Sequence, residues 1–297
     1  MVGVHVTQLF SFPSGDPSEF EGMSEEDMAA MAFLQDFTAR GGLAYNAYQS
    51  AQPQTLAYAL QDLDASAEHW AEALRLGRLE DDAEVICKAG AGVGLAALAV
   101  DDTSTAVARF REALEYGVEA GEAGVWLRSL THVWLGTVLL LQGDQAGAVA
   151  EIERGHALAR ERGDRLSTYV ALYNLSQAAI STGDHVRARR HLEEGIELSE
   201  QTQDMANLAY FLEALAVVES ADRRPGGVAV LLGAAESLRE TVGANVYAYY
   251  RPDASLRDEA ELRARAALGT SAYDEAVEAG AAMDVASVIR FALDDTV

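Results

Sequence analysis

The sequence is poor in cysteine, in lysine and in long apolar runs. Its one cysteine, Cys87, cannot form a disulfide within the chain. No run of about 18 apolar residues and no apolar segment behind a charged start occurs, so neither a membrane-spanning helix nor a secretory signal is predicted. The sequence contains one lysine, Lys88, and 21 arginines, a bias expected of a high-GC genome. We therefore expect a bacterial, cytoplasmic protein.

Positive charge is scarce as well. Lysine and arginine together number 22 against 47 aspartates and glutamates, so the net charge is −25. A polyanion of this size is repelled by nucleic-acid backbones and by anionic lipid surfaces. We therefore expect neither nucleic acid nor a membrane as a direct partner. The 49% hydrophobic content is nevertheless sufficient for one elongated domain or two compact ones.

Motifs that carry chemistry are also missing. The chain contains no G-x-x-x-x-G-K-[ST], no H-E-x-x-H and no Cys/His cluster, so no catalytic residue, metal or cofactor is predicted. The glycines of "GAGVG" lie inside a helical stretch, where Gly94 is expected to allow close helix packing. His132 takes the large aromatic position of its repeat and is expected to pack. The pair Asp101-Asp102 is expected to cap a helix.

The N-terminal part lacks the periodicity of the rest of the chain. Residues 1–23 contain prolines and glycines and are predicted to form an arm. Ser24 can cap a Met-rich amphipathic helix over 24–37. We assign 24–62 to N-terminal helices and a first repeat, which is weak because Pro53 interrupts its first helix. Helix is predicted from there to the C-terminus.

Gly-Asp pairs punctuate this helical part. Gly143 can end one helix in a left-handed turn, and Asp144 can accept backbone N–H groups at the start of the next. Gly183-Asp184 repeats the pair, and Asp102 repeats the aspartate. These turns predict helices joined by very short connections.

Between the turns, small and large residues recur at intervals of 40 or 42 residues. Within each second helix, a small residue is followed four positions later by a large one and three positions further on by another small one. These spacings lie on one helix face. The three sets are Ser66, Ala106, Ala148, Ala188 and Val228; Trp70, Phe110, Ile152, Leu192 and Leu232; and Ala73, Ala113, Gly155, Gly195 and Ala235. Each preceding helix carries a large-small pair, namely Val93-Gly94, Leu135-Gly136, Leu175-Ser176 and Leu215-Ala216.

This is the tetratricopeptide pattern, stretched from its usual period of about 34 residues to about 40. The predicted fold is all-α, a tetratricopeptide-like α-solenoid in which about five helix pairs wind into a right-handed superhelix. The repeats are assigned to 63–243. A C-terminal cap is assigned to 244–297, with short helices near 256–268, 271–280 and 284–294.

Two segments carry a resemblance to a known family. "RRPGGVAVLLGAAESLRETVGA" (223–244) and "YDEAVEAGAAMDVASVIRFAL" (273–293) resemble the segments that close the helical-repeat, sensor region of LuxR-type ATP-binding regulators and related predicted ATPases. The similarity extends from about residue 80 to residue 293. It implies a sensing and protein-contact role. ATPase and DNA-binding activities are not implied, because the nucleotide motif is missing and too few residues follow for a helix-turn-helix.

The repeat register predicts an apolar groove. Tyr173 and Gln177 are one turn apart on one inner helix, with Tyr210 on the next, and together they offer an aromatic wall and a polar hook. Alternatively, Tyr173 packs beneath a neighbouring helix. The candidate groove residues are Leu95, Val133, Thr137, Leu140, Tyr173, Gln177 and Tyr210.

An exposed apolar groove of this extent needs a cover. Helix 24–37, a second subunit, a hydrophobic ligand or an amphipathic partner helix would each provide one. The aromatic segment "NVYAYYRP" (245–252) is expected to act as a plug or as a ligand lid.

One concentration of positive charge stands out. Arg187, Arg189 and Arg190 precede Glu193, Glu194 and Glu197 on the same predicted helix, so ion pairs within the helix are predicted, with an anionic partner as the alternative.

The function expected from these features is that of a non-enzymatic, regulatory binding module. It would recognise a protein partner or an apolar small molecule in the groove. The alternative is an enzyme or ligand-sequestering protein that uses the same groove as a pocket. Homo-oligomeric scaffolding is a third possibility.

Overall fold

A computed structural model describes residues 67–68, 70–242 and 253–294. All regular secondary structure in these ranges is α-helical, and they contain no strand, so the all-α prediction is confirmed. The predicted arm 1–23, the helix 24–37 and the aromatic segment 245–252 lie outside the described residues. Ser66 of the repeat pattern lies outside them too.

The described residues form twelve helices. In chain order they are α1 (70–80), α2 (Ala83–Ala99), α3 (Thr103–Glu119), α4 (Glu122–Leu141), α5 (Gln145–Arg162), α6 (Arg165–Ser181), α7 (His185–Thr202), α8 (Met205–Ala221), α9 (Pro225–Val242), α10 (Ala254–Leu268), α11 (Thr270–Ala281) and α12 (Val285–Ala292). The last three agree with the predicted C-terminal helices to within two residues at each end. The chain divides into two compact units, unit 1 up to Ser167 and unit 2 from Thr168.

The connections between helices α1 to α9 contain left-handed residues at regular intervals. Gly143 and Gly183 have φ values of 80° and 74°, as the Gly-Asp pairs predict. Two interleaved sets recur every 40 or 42 residues: Asp81, Gly121, Gly163 and Gln203 in one, and Asp101, Gly143, Gly183 and Arg223 in the other. The repeat of the sequence is thus a repeat of the backbone, even where glycine is missing.

Aspartates cap the helices that follow these turns. The carboxylate of Asp144 accepts the N–H of Gly147 at 2.9 Å, and that of Asp184 accepts the N–H of Arg187 at 3.1 Å. Asp102 does the same for Thr105 at 3.1 Å. The predicted caps are therefore confirmed. Side chains at equivalent helix starts also accept backbone N–H groups, namely Asp82, Asp164, Asp204, Asp253 and Asp284.

The periodic large and small residues form the helix contacts. A Cβ atom added to Gly94 would collide with the ring of Phe110, and one added to Gly136 would collide with Ile152. The glycines of "GAGVG" therefore serve packing, as predicted. Every described member of the three sets from Ala106 onwards is buried, whereas Trp70 and Ala73 are half-buried.

Each unit is built from contacts between neighbouring helices. In unit 1, α2 packs on α3, α3 on α4 and α4 on α5, and α2 also contacts α4. In unit 2, α8 contacts α7, α9 and α10, while α11 packs closely on α9. Gly233 and Gly280 lie at that last contact, where a Cβ on either would collide with the backbone carbonyl of the opposite helix. These contacts bring α8, α9 and α10 together around the site described next.

Candidate functional site

The predicted groove residues of unit 1 are mostly interior. Val133 is 0% exposed and Thr137 is 9% exposed, with the Thr137 hydroxyl donating to the carbonyl oxygen of Val133 at 3.0 Å. Leu95 and Leu140 are half-buried. Of these four residues, only the two leucines present appreciable surface, so the apolar surface of unit 1 is narrower than the register predicts.

In unit 2 the predicted aromatic wall is largely a packing contact. Tyr173 is 2% exposed and belongs to the hydrophobic core. Its ring meets those of Tyr210 and Phe211 edge-on, with centroids 6.3 Å and 6.1 Å away. This placement matches the packing alternative for Tyr173. Gln177 and Tyr210 are half-buried, so they keep surface through which a ligand could be contacted.

Tyr210 marks the edge of a charged cluster. The guanidinium carbon of Arg239, on α9, lies 5.5 Å from the centroid of the Tyr210 ring, within the range of a cation–π interaction. One helical turn further along α8, Glu213 forms an ion pair with the same arginine. Arg257, on α10, approaches Glu213 as well. We refer to Tyr210, Glu213, Arg239 and Arg257 as the Glu213 cluster.

Glu213 is the buried centre of this cluster. Its side chain is only 10% exposed, and a carboxylate taken out of water needs compensating charge and hydrogen bonds. Both arginines address the same oxygen, Oε2, which lies 3.6 Å from Nε of Arg257. Neither the burial of Glu213 nor its pairing with the two arginines was predicted from the sequence.

The two arginines of the Glu213 cluster share one buried carboxylate. Two other carboxylates approach it, Glu236 at 3.8 Å from Arg239 and Asp258 at 3.8 Å from Arg257, but they are 58% and 71% exposed. Exposed ion pairs of this kind compensate little charge because water screens them. Among the described residues, Nε of Arg257 is buried and has no hydrogen-bond acceptor. The cluster therefore holds two guanidinium groups around one buried carboxylate.

A second charged network in unit 2 is balanced. Arg189, on α7, pairs with Glu219 and, at 3.2 Å, with Asp222, while Arg224 lies 3.7 Å from Glu219. Burial by itself lowers the pKa of Arg189. The hydrogen bonds to Glu219 and Asp222 and the charges of these carboxylates raise the pKa by more than burial lowers it, so the net shift is upward. The prediction of pairing within the helix is wrong for Arg189, because its partners lie on and just after α8.

In unit 1 the buried polar contacts serve packing. Nδ1 of His132 lies 2.7 Å from a carboxylate oxygen of Glu151, and the histidine is half-buried, in line with its predicted packing role. Burial lowers the pKa of His132, although Glu151 opposes this shift. Ser129 and Ser167 both donate to Asp164, at 3.1 Å and 2.6 Å, and tie α4 to the start of α6.

Residues 67–68, 70–242 and 253–294 contain no group of three or more His, Cys, Asp or Glu residues that could hold a metal ion. No helix within them is both long enough and apolar enough to span a membrane. No known family model and no curated protein matches the chain. The function must therefore follow from the chemistry of the chain itself.

Proposed function

We propose that the protein is a non-enzymatic binding module whose tetratricopeptide-like helix pairs support a recognition surface for an apolar small molecule or a protein partner. The observation that carries this proposal is the recurrence of left-handed turns and buried large-small contacts every 40 or 42 residues. Helical repeats of this kind typically stack into superhelices with extended binding surfaces. The superhelix, a relationship to LuxR-type sensor repeats and a cytoplasmic regulatory role belong to the same proposal.

The recognition surface is proposed to lie in unit 2, beside the Glu213 cluster. Half-buried Tyr210 offers an aromatic surface, and half-buried Gln177 offers an amide. Binding sites typically combine apolar and aromatic area with a few fixed polar groups. The Tyr210 ring is held in place by Tyr173 on one helix and by Arg239 on another. A preorganised aromatic group of this kind loses little entropy when a ligand binds.

The alternative is an enzyme or a ligand-sequestering protein that uses the same surface as a pocket. The convergence of Tyr210 with a buried carboxylate favours this alternative, because catalytic sites often pair such groups. However, Oε2 of Glu213 already forms an ion pair with Arg239, and Nε of Arg257 lies 3.6 Å from it. In this arrangement the carboxylate is already paired with arginine, which leaves it poorly suited to proton transfer.

The proposal is tested by retention of molecules from cell extract on the immobilised full chain, with mass spectrometry of what is eluted. Tyr210→Ala removes the proposed contact. Tyr116→Ala, a half-buried tyrosine of α3 in unit 1, is the matched control. Circular dichroism checks that both variants keep the helical content of the wild type.

We expect a molecule that the wild type and Tyr116→Ala retain and Tyr210→Ala loses. Identical retention by all three proteins would contradict the proposed site. Conversion of the retained molecule into a product by the wild type would favour the enzymatic alternative.

A further inference from the structure

The Glu213 cluster contains more hydrogen-bond donors than the described residues satisfy. Each guanidinium carries five N–H donors in a planar fork. Arg239 and Arg257 share one buried acceptor oxygen, Oε2 of Glu213, and Nε of Arg257 has no hydrogen-bond acceptor among the described residues. Nε of Arg257 is buried, but the side chain as a whole is 36% exposed, so part of Arg257 faces solvent.

We propose that Arg257, together with Arg239, binds the oxyanion of an acidic small molecule, a carboxylate or a phosphate ester. This inference rests on the proposed binding function and narrows its small-molecule ligand to one that carries an acidic group on an apolar organic part. A guanidinium can bind two oxygens of such a group side by side, and these charge-assisted bonds are stronger than neutral ones. The bound oxyanion adds close negative charge to two guanidinium groups that share one buried carboxylate.

The balanced network around Arg189 provides the internal comparison. There, two arginines face two carboxylates, Glu219 and Asp222, and both carboxylates accept hydrogen bonds from Arg189. In the Glu213 cluster the two further carboxylates, Glu236 and Asp258, lie 3.8 Å from the arginines and are 58% and 71% exposed, against 37% for Asp222. The arginines are thus less closely compensated near the middle of α8 than at its C-terminal end. This difference points to a ligand rather than to helix stabilisation as the reason for the second arginine.

The net charge of the chain limits the kind of anion. At −25 the protein repels polyanions at long range, whereas the cluster attracts negative charge only nearby. A ligand with one acidic group on an organic scaffold is attracted by the arginines of the cluster and is repelled least by the net negative charge of the protein. Such a scaffold can contact Tyr210, which adjoins Arg239.

The test is calorimetric titration of the full chain with phenylacetate, phenyl phosphate and the neutral analogue phenylacetamide. The first two probes distinguish a carboxylate from a phosphate. Arg257→Gln removes the guanidinium, and Arg263→Gln is the matched control on the same helix, since Arg263 pairs with exposed Glu259. Circular dichroism confirms that each variant is folded.

We expect one of the two anions to bind the wild type and Arg263→Gln alike, and to bind Arg257→Gln about tenfold more weakly or worse. Phenylacetamide should bind at least about tenfold more weakly than phenylacetate where the carboxylate is preferred. Glu213→Gln is a second variant, for which we expect a change of anion affinity in the opposite direction. Loss of the competing carboxylate should tighten anion binding, so the proposal remains testable even where Arg257→Gln does not fold.

The proposal is overturned when neither anion binds at millimolar concentration. It is also overturned when phenylacetamide matches phenylacetate, or when Arg263→Gln weakens anion binding as much as Arg257→Gln. Loss of the proposed anion site can be distinguished from loss of the binding function itself. A neutral molecule or a peptide retained from extract through Tyr210 would preserve the binding function while removing the anion site.

Discussion

The left-handed turns give a quantitative test of the repeat. Gly163 and Gln203 occupy equivalent positions one period apart, with φ values of 69° and 55°. A side chain in this region costs roughly 1–2 kcal/mol, and glycine gives back about 0.5–1 kcal/mol through the larger entropy of its unfolded chain. We expect Gly163→Ala to lower the free energy of unfolding by about 1 kcal/mol and Gln203→Gly to raise it by up to about 1 kcal/mol.

The steric surroundings make this comparison clean. Apart from the adjoining residues of the chain, no atom lies within 4 Å of a Cβ built on Gly163, so only the backbone conformation is tested. Gly226, in the first turn of α9, has equally open space but no positive φ. Gly226→Ala should therefore stabilise the protein by about 0.5–1 kcal/mol.

Urea denaturation followed by circular dichroism measures all three variants against the wild type. Equal stability of Gly163→Ala and the wild type, or a loss of stability in Gln203→Gly, would refute the equivalence of the two turns.

Three further predictions follow from burial. Tyr173→Ala should lower the free energy of unfolding by about 3–5 kcal/mol, because it truncates a core aromatic; a loss below about 1 kcal/mol in urea denaturation would contradict a packing role. Burial lowers the pKa of His132 from 6.5, so its neutral form contributes stability that is present above about pH 6.5 and lost as the pH falls through the lower folded pKa. His132→Gln should therefore lose less stability between about pH 7 and pH 5, and identical losses would contradict this. Burial raises the pKa of Cys87 to about 11, so iodoacetamide should label this thiol only after unfolding, and rapid labelling of the native protein would be the contrary result.

Local features of the fold could be predicted from the sequence. The Gly143-Asp144 and Gly183-Asp184 pairs predict turns and caps because their effects depend on neighbouring residues alone. The left-handed conformations of Gln203 and Arg223 could not be predicted in this way, because neither residue type favours them. Only alignment with the glycines one period earlier would have indicated them.

The charged contacts of unit 2 were beyond sequence reasoning. Arg189 pairs with Glu219, 30 positions away, and Glu213 is paired with Arg239 on the next helix. Such pairs depend on how long side chains project from two packed helices, and the repeat pattern does not specify this. The sequence favoured glutamates of the same helix for Arg189 because spacing along one helix is visible in a sequence.

The buried groove residues show a different limit. Periodicity identifies an apolar face, but it does not tell whether that face meets solvent or another helix. Tyr173 and Val133 are interior, whereas Tyr210 and Gln177 remain half-buried. The proposed binding surface is accordingly smaller than the predicted groove, and it lies beside the charged side chains of the Glu213 cluster.

The most direct test of the binding function is hydrogen–deuterium exchange of the full chain with and without the molecule retained from extract. A ligand at the proposed site slows exchange of the backbone amides that it covers or rigidifies. We predict slower exchange confined to the segments of α6, α8, α9 and α10 that carry Gln177, Tyr210, Arg239 and Arg257. Protection restricted to other helices, or none at all at saturating ligand, would contradict the account.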